Sequence, residues 1–215
     1  MKALIKEYLT GALTIPNLLS LIRILLVPVF AVLFLNENIE NNYVWAIIVL
    51  AFSGFTDFLD GKIARKFNQI SALGKLLDPI ADKLSQMTIA VVFYLTFSKS
   101  EDEMINTFSW IFLVFIIKEA VMMVIAAIMI AFGIKPVAAE LPGKLATLAF
   151  YTIMCVVMAF GPDIGVVHKT FGVDWVLPSA VMLVLVGICV VLTVIALFSY
   201  APGVIRQIKE KKNSK

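Results

Sequence analysis

Residues 43–66 read YVWAIIVLAFSGFTDFLDGKIARK. The first part, 43–56, is uncharged and mostly apolar. A helix needs about 20 residues to cross a hydrocarbon core, so 43–56 is too short alone. It reaches spanning length only if one helix continues through Asp57, Asp60 and Arg65. The stretch therefore predicts a membrane helix bearing two carboxylates, each costing about 2.5–3.5 kcal/mol near mid-helix on insertion scales.

Five further apolar runs lie near 17–36, 71–97, 105–133, 143–161 and 176–200. Of the 215 residues, 61% are apolar, more than a soluble fold of this size hides. The expectation is an all-α integral membrane protein with six transmembrane helices, forming one domain over 1–215. Residues 1–14 read as a short interfacial helix. Leu4, Ile5, Tyr8, Leu9 and Leu13 share a face opposite Lys6 and Glu7. Thr14 and Pro16 suit the start of the first span. The charged start and the long run after Pro16 are unlike a cleavable signal peptide. There is no internal repeat of the kind expected of an inverted-repeat transporter.

Loop charges predict orientation. The segments 37–42 and 98–103 hold Glu37, Glu40, Glu101, Asp102 and Glu103, with Lys99 the only base, and 162–175 has only Lys169. The alternate segments hold Lys62, Arg65, Lys66 and Lys75, then Lys135 and Lys144, then the basic tail 201–215. Lysine and arginine stay inside. Both termini and the 62–75 region are thus expected on the cytoplasmic side of the cell membrane. The tail reads as a solvated end with weak attraction to anionic lipid. Its bases form no folded domain, so a nucleic-acid partner is not expected. Trp45, Trp110 and Trp175 fall near the outer interface, as an aromatic belt would.

Asp57 and Asp60 are three apart, and Asp78 and Asp82 four apart. Each pair shares a helix face, and a tight turn between the two helices lets the pairs face each other. Four converging carboxylates repel unless cations lie between them. His168 is the only histidine, and Cys155 and Cys189 form no CxxC pair, which excludes a zinc site of His and Cys. Oxygen ligands point to magnesium, manganese or calcium. Ser53, Gly61 and Ala64 continue one stripe, and Ser71, Gly74 and Ser85 the other. Small stripes let helices approach closely and leave room for a flat ligand. Salt bridges to Lys62, Arg65, Lys75 and Lys83 are the plain alternative, but these bases are too few and lie on other faces.

The eight fixed positions Asp57, Asp60, Gly61, Ala64, Arg65, Gly74, Asp78 and Asp82 match D-x2-D-G-x2-A-R-x8-G-x3-D-x3-D. In this pattern, and in its six-helix layout, the chain resembles the CDP-alcohol phosphotransferase family. A carboxylate-based cation carrier would not need Gly61, Ala64, Arg65 and Gly74 at these spacings. The resemblance implies two divalent ions, Mg2+ or Mn2+, on Asp57, Asp60 and Asp78. It implies Asp82 as general base, touching metal as well. It also implies a CDP pocket of Asp57, Gly61, Ala64, Arg65 and Gly74, membrane-lipid substrates and, by analogy, a homodimer.

Pro16-Asn17, Arg23 and residues 73–83 resemble the family's bacterial phosphatidylglycerophosphate synthases. Transfer of the phosphatidyl group of CDP-diacylglycerol to glycerol 3-phosphate, with release of CMP, is therefore expected. Gly143, Lys144 and Thr147 match a Gly-Lys-x-x-Thr segment of the family. Lys118-Glu119 stands where those enzymes have Arg-Glu, and lysine binds phosphate without the bidentate fork. Lys118, Lys135 and Lys144 are the expected acceptor-phosphate ligands, with Asn17, Arg23 and Glu119 as polar support. Adjacent helical residues point about 100° apart, so Lys118 and Glu119 are each expected to find a partner elsewhere. The rival acceptor is phosphatidylglycerol, as in the family's CMP-forming cardiolipin synthases. No catalytic role is expected for His168.

Overall fold

The computed structural model describes residues 14–67, 71, 73–131 and 141–213. The interfacial helix expected over 1–14 falls outside them except for Thr14. Among the described residues all regular structure is helical. The long helices are α1 (Ile15–Leu35), α2 (Asn42–Lys66) and α3 (Gly74–Phe97). A short α4 (Glu103–Phe108) and a 3-10 turn (Ser109–Ile111) lead into α5 (Phe112–Ala131). Then come α6 (Leu141–Phe160), a short α7 (Val166–Phe171) and α8 (Ser179–Asn213).

Five segments are long and apolar enough to cross a membrane: Ile15–Leu35, Leu77–Phe97, Glu103–Met129, Leu141–Phe160 and Ser179–Gln207. This is a multi-pass membrane protein. The helix α2 differs in kind. It is unbroken for 25 residues, about 37 Å at 1.5 Å per residue, yet its apolar part is only Asn42–Thr56. The expected continuation through Asp57, Asp60 and Arg65 is present. The helix α8 runs on past the expected end near 200 and takes most of the basic tail into one 35-residue helix. The expected start of α1 is also present. Thr14 adopts an extended conformation, and its hydroxyl accepts from the Asn17 amide.

The chain forms two compact units, Met1–Val92 and Phe93–Lys215. In the first, α1 buries Asn17, Ser20, Arg23, Phe30 and Phe34. Their spacing of three, four or seven puts them on one face. The α1–α2 connection is tied at its end. Asn42 Nδ2 donates to the Phe34 carbonyl at 3.1 Å, and the Phe34 and Tyr43 rings meet edge-on at 4.9 Å. Further along, α1, α2 and α3 meet around a small cleft lined by Leu26, Phe30, Val49, Ser53, Ser85 and Ile89 among others.

The second unit is held by an aromatic ladder. Phe93, Phe97, Phe112, Phe115 and Phe150 join in successive pairs with centroids 5.2–6.2 Å apart. Lipid tails are as apolar as these rings, so the gain is close packing rather than escape from water, about 0.5–1.5 kcal/mol per good pair. Asp102 caps α4, accepting from the Met104 amide at 2.9 Å. Its other oxygen accepts from Ser179 Oγ at 2.7 Å, and that hydroxyl holds the carboxyl below its usual range. Ser179 opens α8, so the loop before α4 and the entry of α8 lie together, as the charge alternation requires. Trp45, Trp110 and Trp175 are all exposed. Trp110 packs on Tyr94, and Trp175 on Phe160.

Candidate functional site

Ser53 on α2 and Ser85 on α3 line the same cleft. Helical register carries their faces onward. Positions 57 and 60 follow Ser53 by four and seven residues, and positions 82 and 78 precede Ser85 by three and seven. These offsets keep a residue on one face. The α2 stripe runs toward the end of its helix and the α3 stripe toward the start of its own. The few residues between Lys66 and Gly74 keep those two ends close. The backbone thus brings all four aspartate positions to one end of the first unit. The side chains of Asp57, Asp60, Gly61, Ala64 and Arg65 lie outside the described residues.

Asp78 and Asp82 are described in atomic detail. The Asp78 side chain is 55% exposed, and its Oδ1 accepts from Arg23 Nη1 at 3.2 Å. Arg23 on α1 is itself only 3% exposed. Asp82 is half-buried, and its Oδ2 accepts from Gln86 Nε2 at 3.2 Å. Gln86 is buried one turn along α3. Sequence reasoning passed over Gln86, although a polar residue four positions after an aspartate on a small-residue stripe was a usable signal.

Gly74, an expected nucleotide-pocket glycine, has a packing role as well. A Cβ there would collide with Asn17 Oδ1. Ser71 Oγ donates to the same oxygen at 2.9 Å and accepts from the Gly74 amide at 2.9 Å. Asn17, buried on α1, thereby secures the entry to α3. Asn17 meets Ser71 and Gly74, and Arg23 meets Asp78, so α1 and α3 run in the same direction, as an up-down-up order demands.

In the second unit, Lys118 and Glu119 of α5 are both buried. They do pair: Lys118 Nζ donates to Glu119 Oε1. This corrects the expectation that adjacency keeps them apart. The lysine's four-carbon stem lets its ammonium reach round the helix, and burial makes an uncompensated charge on either one costly. Cys189 and Thr193 of α8 are also buried. Lys144 is exposed near the start of α6. Beside it, Gly143 faces Tyr200, whose hydroxyl would stand 2.7 Å from an added Cβ. Lys135 lies outside the described residues.

Carboxylates on adjacent helices are hard oxygen donors and fit Mg2+ or Mn2+ by chemistry. Asp78 satisfies one further demand, because more than half of its side chain remains open while Arg23 holds one oxygen. Among the described residues no three His, Cys, Asp or Glu side chains stand close enough to ligate one ion. The expected set draws on Asp57 and Asp60, whose side chains lie outside the description.

A family model described as CDP-alcohol phosphatidyltransferase matches residues 13–198. The CMP-forming cardiolipin synthase of Streptomyces coelicolor is 41% identical over 137 residues, 63% of this chain and 60% of that protein. The CDP-diacylglycerol–glycerol-3-phosphate 3-phosphatidyltransferase of Aquifex aeolicus is 42% identical over 87 residues, 40% of this chain and 46% of that protein. The Pseudomonas fluorescens protein of that name is 44% identical over 80 residues, 37% and 40%. Each match spans less than two thirds of the relative's own length. Matched from the start of α1 into α8, the chain belongs to the CDP-alcohol phosphatidyltransferase family.

Proposed function

We propose that the chain transfers the phosphatidyl group of CDP-diacylglycerol to a glycerol-phosphate acceptor, releasing CMP. The observation that carries this reading is the unbroken α2, which takes the acidic motif to the same end of the first unit as Asp78 and Asp82. Asp57, Asp60 and Asp78 hold two divalent cations, with Asp82 beside them. Such cations neutralise a pyrophosphate and stabilise the attacking and leaving oxygens. Asp82 takes the proton of the acceptor hydroxyl as its oxygen bonds to the β-phosphorus. The bond from that phosphorus to the bridging oxygen breaks, and CMP departs with the electron pair. Gln86 orients the Asp82 carboxylate. Asp57, Gly61, Ala64, Arg65 and Gly74 form the CDP-binding surface.

Two acceptors share the required chemistry. Phosphatidylglycerol is favoured by the longer match to the cardiolipin synthase. It is favoured too by the engagement of Lys118 with Glu119, which draws on a charge that a phosphate dianion would need. Glycerol 3-phosphate is the second reading, supported by the Aquifex and Pseudomonas matches and by the exposed Lys144. Purified protein with CDP-diacylglycerol is expected to release CMP with phosphatidylglycerol and at least about 100-fold more slowly with glycerol 3-phosphate, the scale set when buried polar groups go unmatched. The reverse ratio would assign phosphatidylglycerophosphate synthesis. Release with neither acceptor would reject both.

The site faces the cytoplasm in this reading, supported by the cations of 62–75 and the acidic loops opposite them. Labelling with a membrane-impermeant thiol reagent checks it, in a background with Cys155 and Cys189 replaced. Asn38→Cys, at an exposed loop position, should react in intact cells, and Asn68→Cys only after lysis. Labelling of Asn68→Cys from outside would put the site on the wrong face.

A further inference from the structure

Arg23 is a buried cation beside a carboxylate assigned to bind cations. Its burial and its exposed partner are unequal in a way that matters. The guanidinium sits within the α1 face at 3% exposure, while Asp78 stands 55% open. The contact is made by one nitrogen to one oxygen, Nη1 to Oδ1 at 3.2 Å. A side chain serving only to join α1 to α3 would not need a partner that looks outward. The polar face of α1 already meets the entry to α3 nearly two turns earlier, where Asn17 accepts from Ser71 Oγ.

We propose that Arg23 is a positioning residue that holds Asp78 in its ligating rotamer and, as a fixed positive charge behind it, lowers the site's affinity for divalent metal. This rests on the reading of Asp78 as a metal ligand. The two effects have opposite signs on substitution. Without the cation, the carboxylates attract a divalent ion more strongly. Without the hydrogen bond, Asp78 samples other rotamers, and turnover suffers as it does when a metal ligand loses its support. The arrangement trades tight metal binding for a fixed ligand geometry. It also keeps the carboxylate cluster partly neutralised when no metal is bound.

The test is Mn2+ binding to full-length protein in detergent, read by the electron paramagnetic resonance of free Mn2+, beside kcat. Arg23→Gln is expected to bind Mn2+ about tenfold more tightly while kcat falls about 10- to 100-fold. Its melting temperature should rise more on adding Mn2+ than that of the natural protein, because tighter ligands stabilise more. Arg23→Lys keeps the charge but not the planar fork. It should bind Mn2+ within about threefold of the natural protein and lose about tenfold in kcat. Should Arg23→Gln fail to fold, Arg23→Lys still decides. Natural-level kcat in it removes the positioning role, and a tenfold change in its Mn2+ affinity removes the charge role. Unchanged or weaker Mn2+ binding by folded Arg23→Gln overturns the proposal. Absence of Mn2+ binding by the natural protein would instead sink the metal reading itself.

Discussion

In excess chelator the purified protein is expected to release no CMP from CDP-diacylglycerol, and Mg2+ or Mn2+ should restore release. The reason is charge. A pyrophosphate and four aspartates cannot share one end of a helix pair without cations between them. Asp57→Asn, Asp60→Asn and Asp78→Asn should each cost at least about 100-fold, beyond the 10- to 100-fold seen when only a ligand's support is lost. Membrane insertion should survive, because an amide is cheaper to bury than a carboxylate. For Asp78→Asn the loss should persist at saturating metal, since Arg23 then faces a weaker acceptor. Robust turnover in chelator would end the two-metal reading, whatever the variants do.

Asp82→Asn should separate binding from chemistry. General-base assistance supplies about 10²–10⁴-fold, and an asparagine cannot take the acceptor's proton. CDP-diacylglycerol should bind within about threefold of the natural protein while turnover falls by that factor. Gln86 Nε2 can still donate to the asparagine oxygen, so local geometry is kept and the loss reports the proton. Equal loss of binding and turnover would make Asp82 a metal ligand and nothing more.

Much of the architecture was legible because membrane helices are read from length and apolar content. Each of the six runs falls on one of the six long helices, although α5 begins only at Phe112 and α8 continues past the expected end to Asn213. The short α7 was not foreseen. Val166–Phe171 has no apolar periodicity long enough to register, and Gly172 at φ 64° closes it. The aspartate spacing puts each pair on one helix face, since three- and four-residue intervals fix a face whatever the surroundings. The partners were harder. Arg23 and Asp78 are 55 residues apart in sequence, and no local rule joins them. Lys118 and Glu119 were misjudged because a rule about side-chain direction was applied to a side chain long enough to evade it. Glu119, among the most buried side chains of the protein, takes its partner from its own backbone neighbour.

The uneven make-up of α2 bears on how the protein is made. A segment leaving the ribosome partitions into lipid according to its summed transfer energy. Each Val, Ile, Leu or Phe of α2 contributes about −0.3 to −0.6 kcal/mol, and a central Asp about +2.5 to +3.5. Two aspartates and the basic end offset most of that drive, so α2 gains little by entering lipid as an isolated segment. The preceding helix has no such deficit, with a mean hydropathy of 2.7. The Asn42–Phe34 hydrogen bond and the Phe34–Tyr43 contact join the two at their shared bend. The pair is suited to leave the translocon together as a hairpin, the first helix carrying the second. Shortening the apolar half of α1 should therefore strand the acidic motif outside the bilayer, even with every residue of α2 intact.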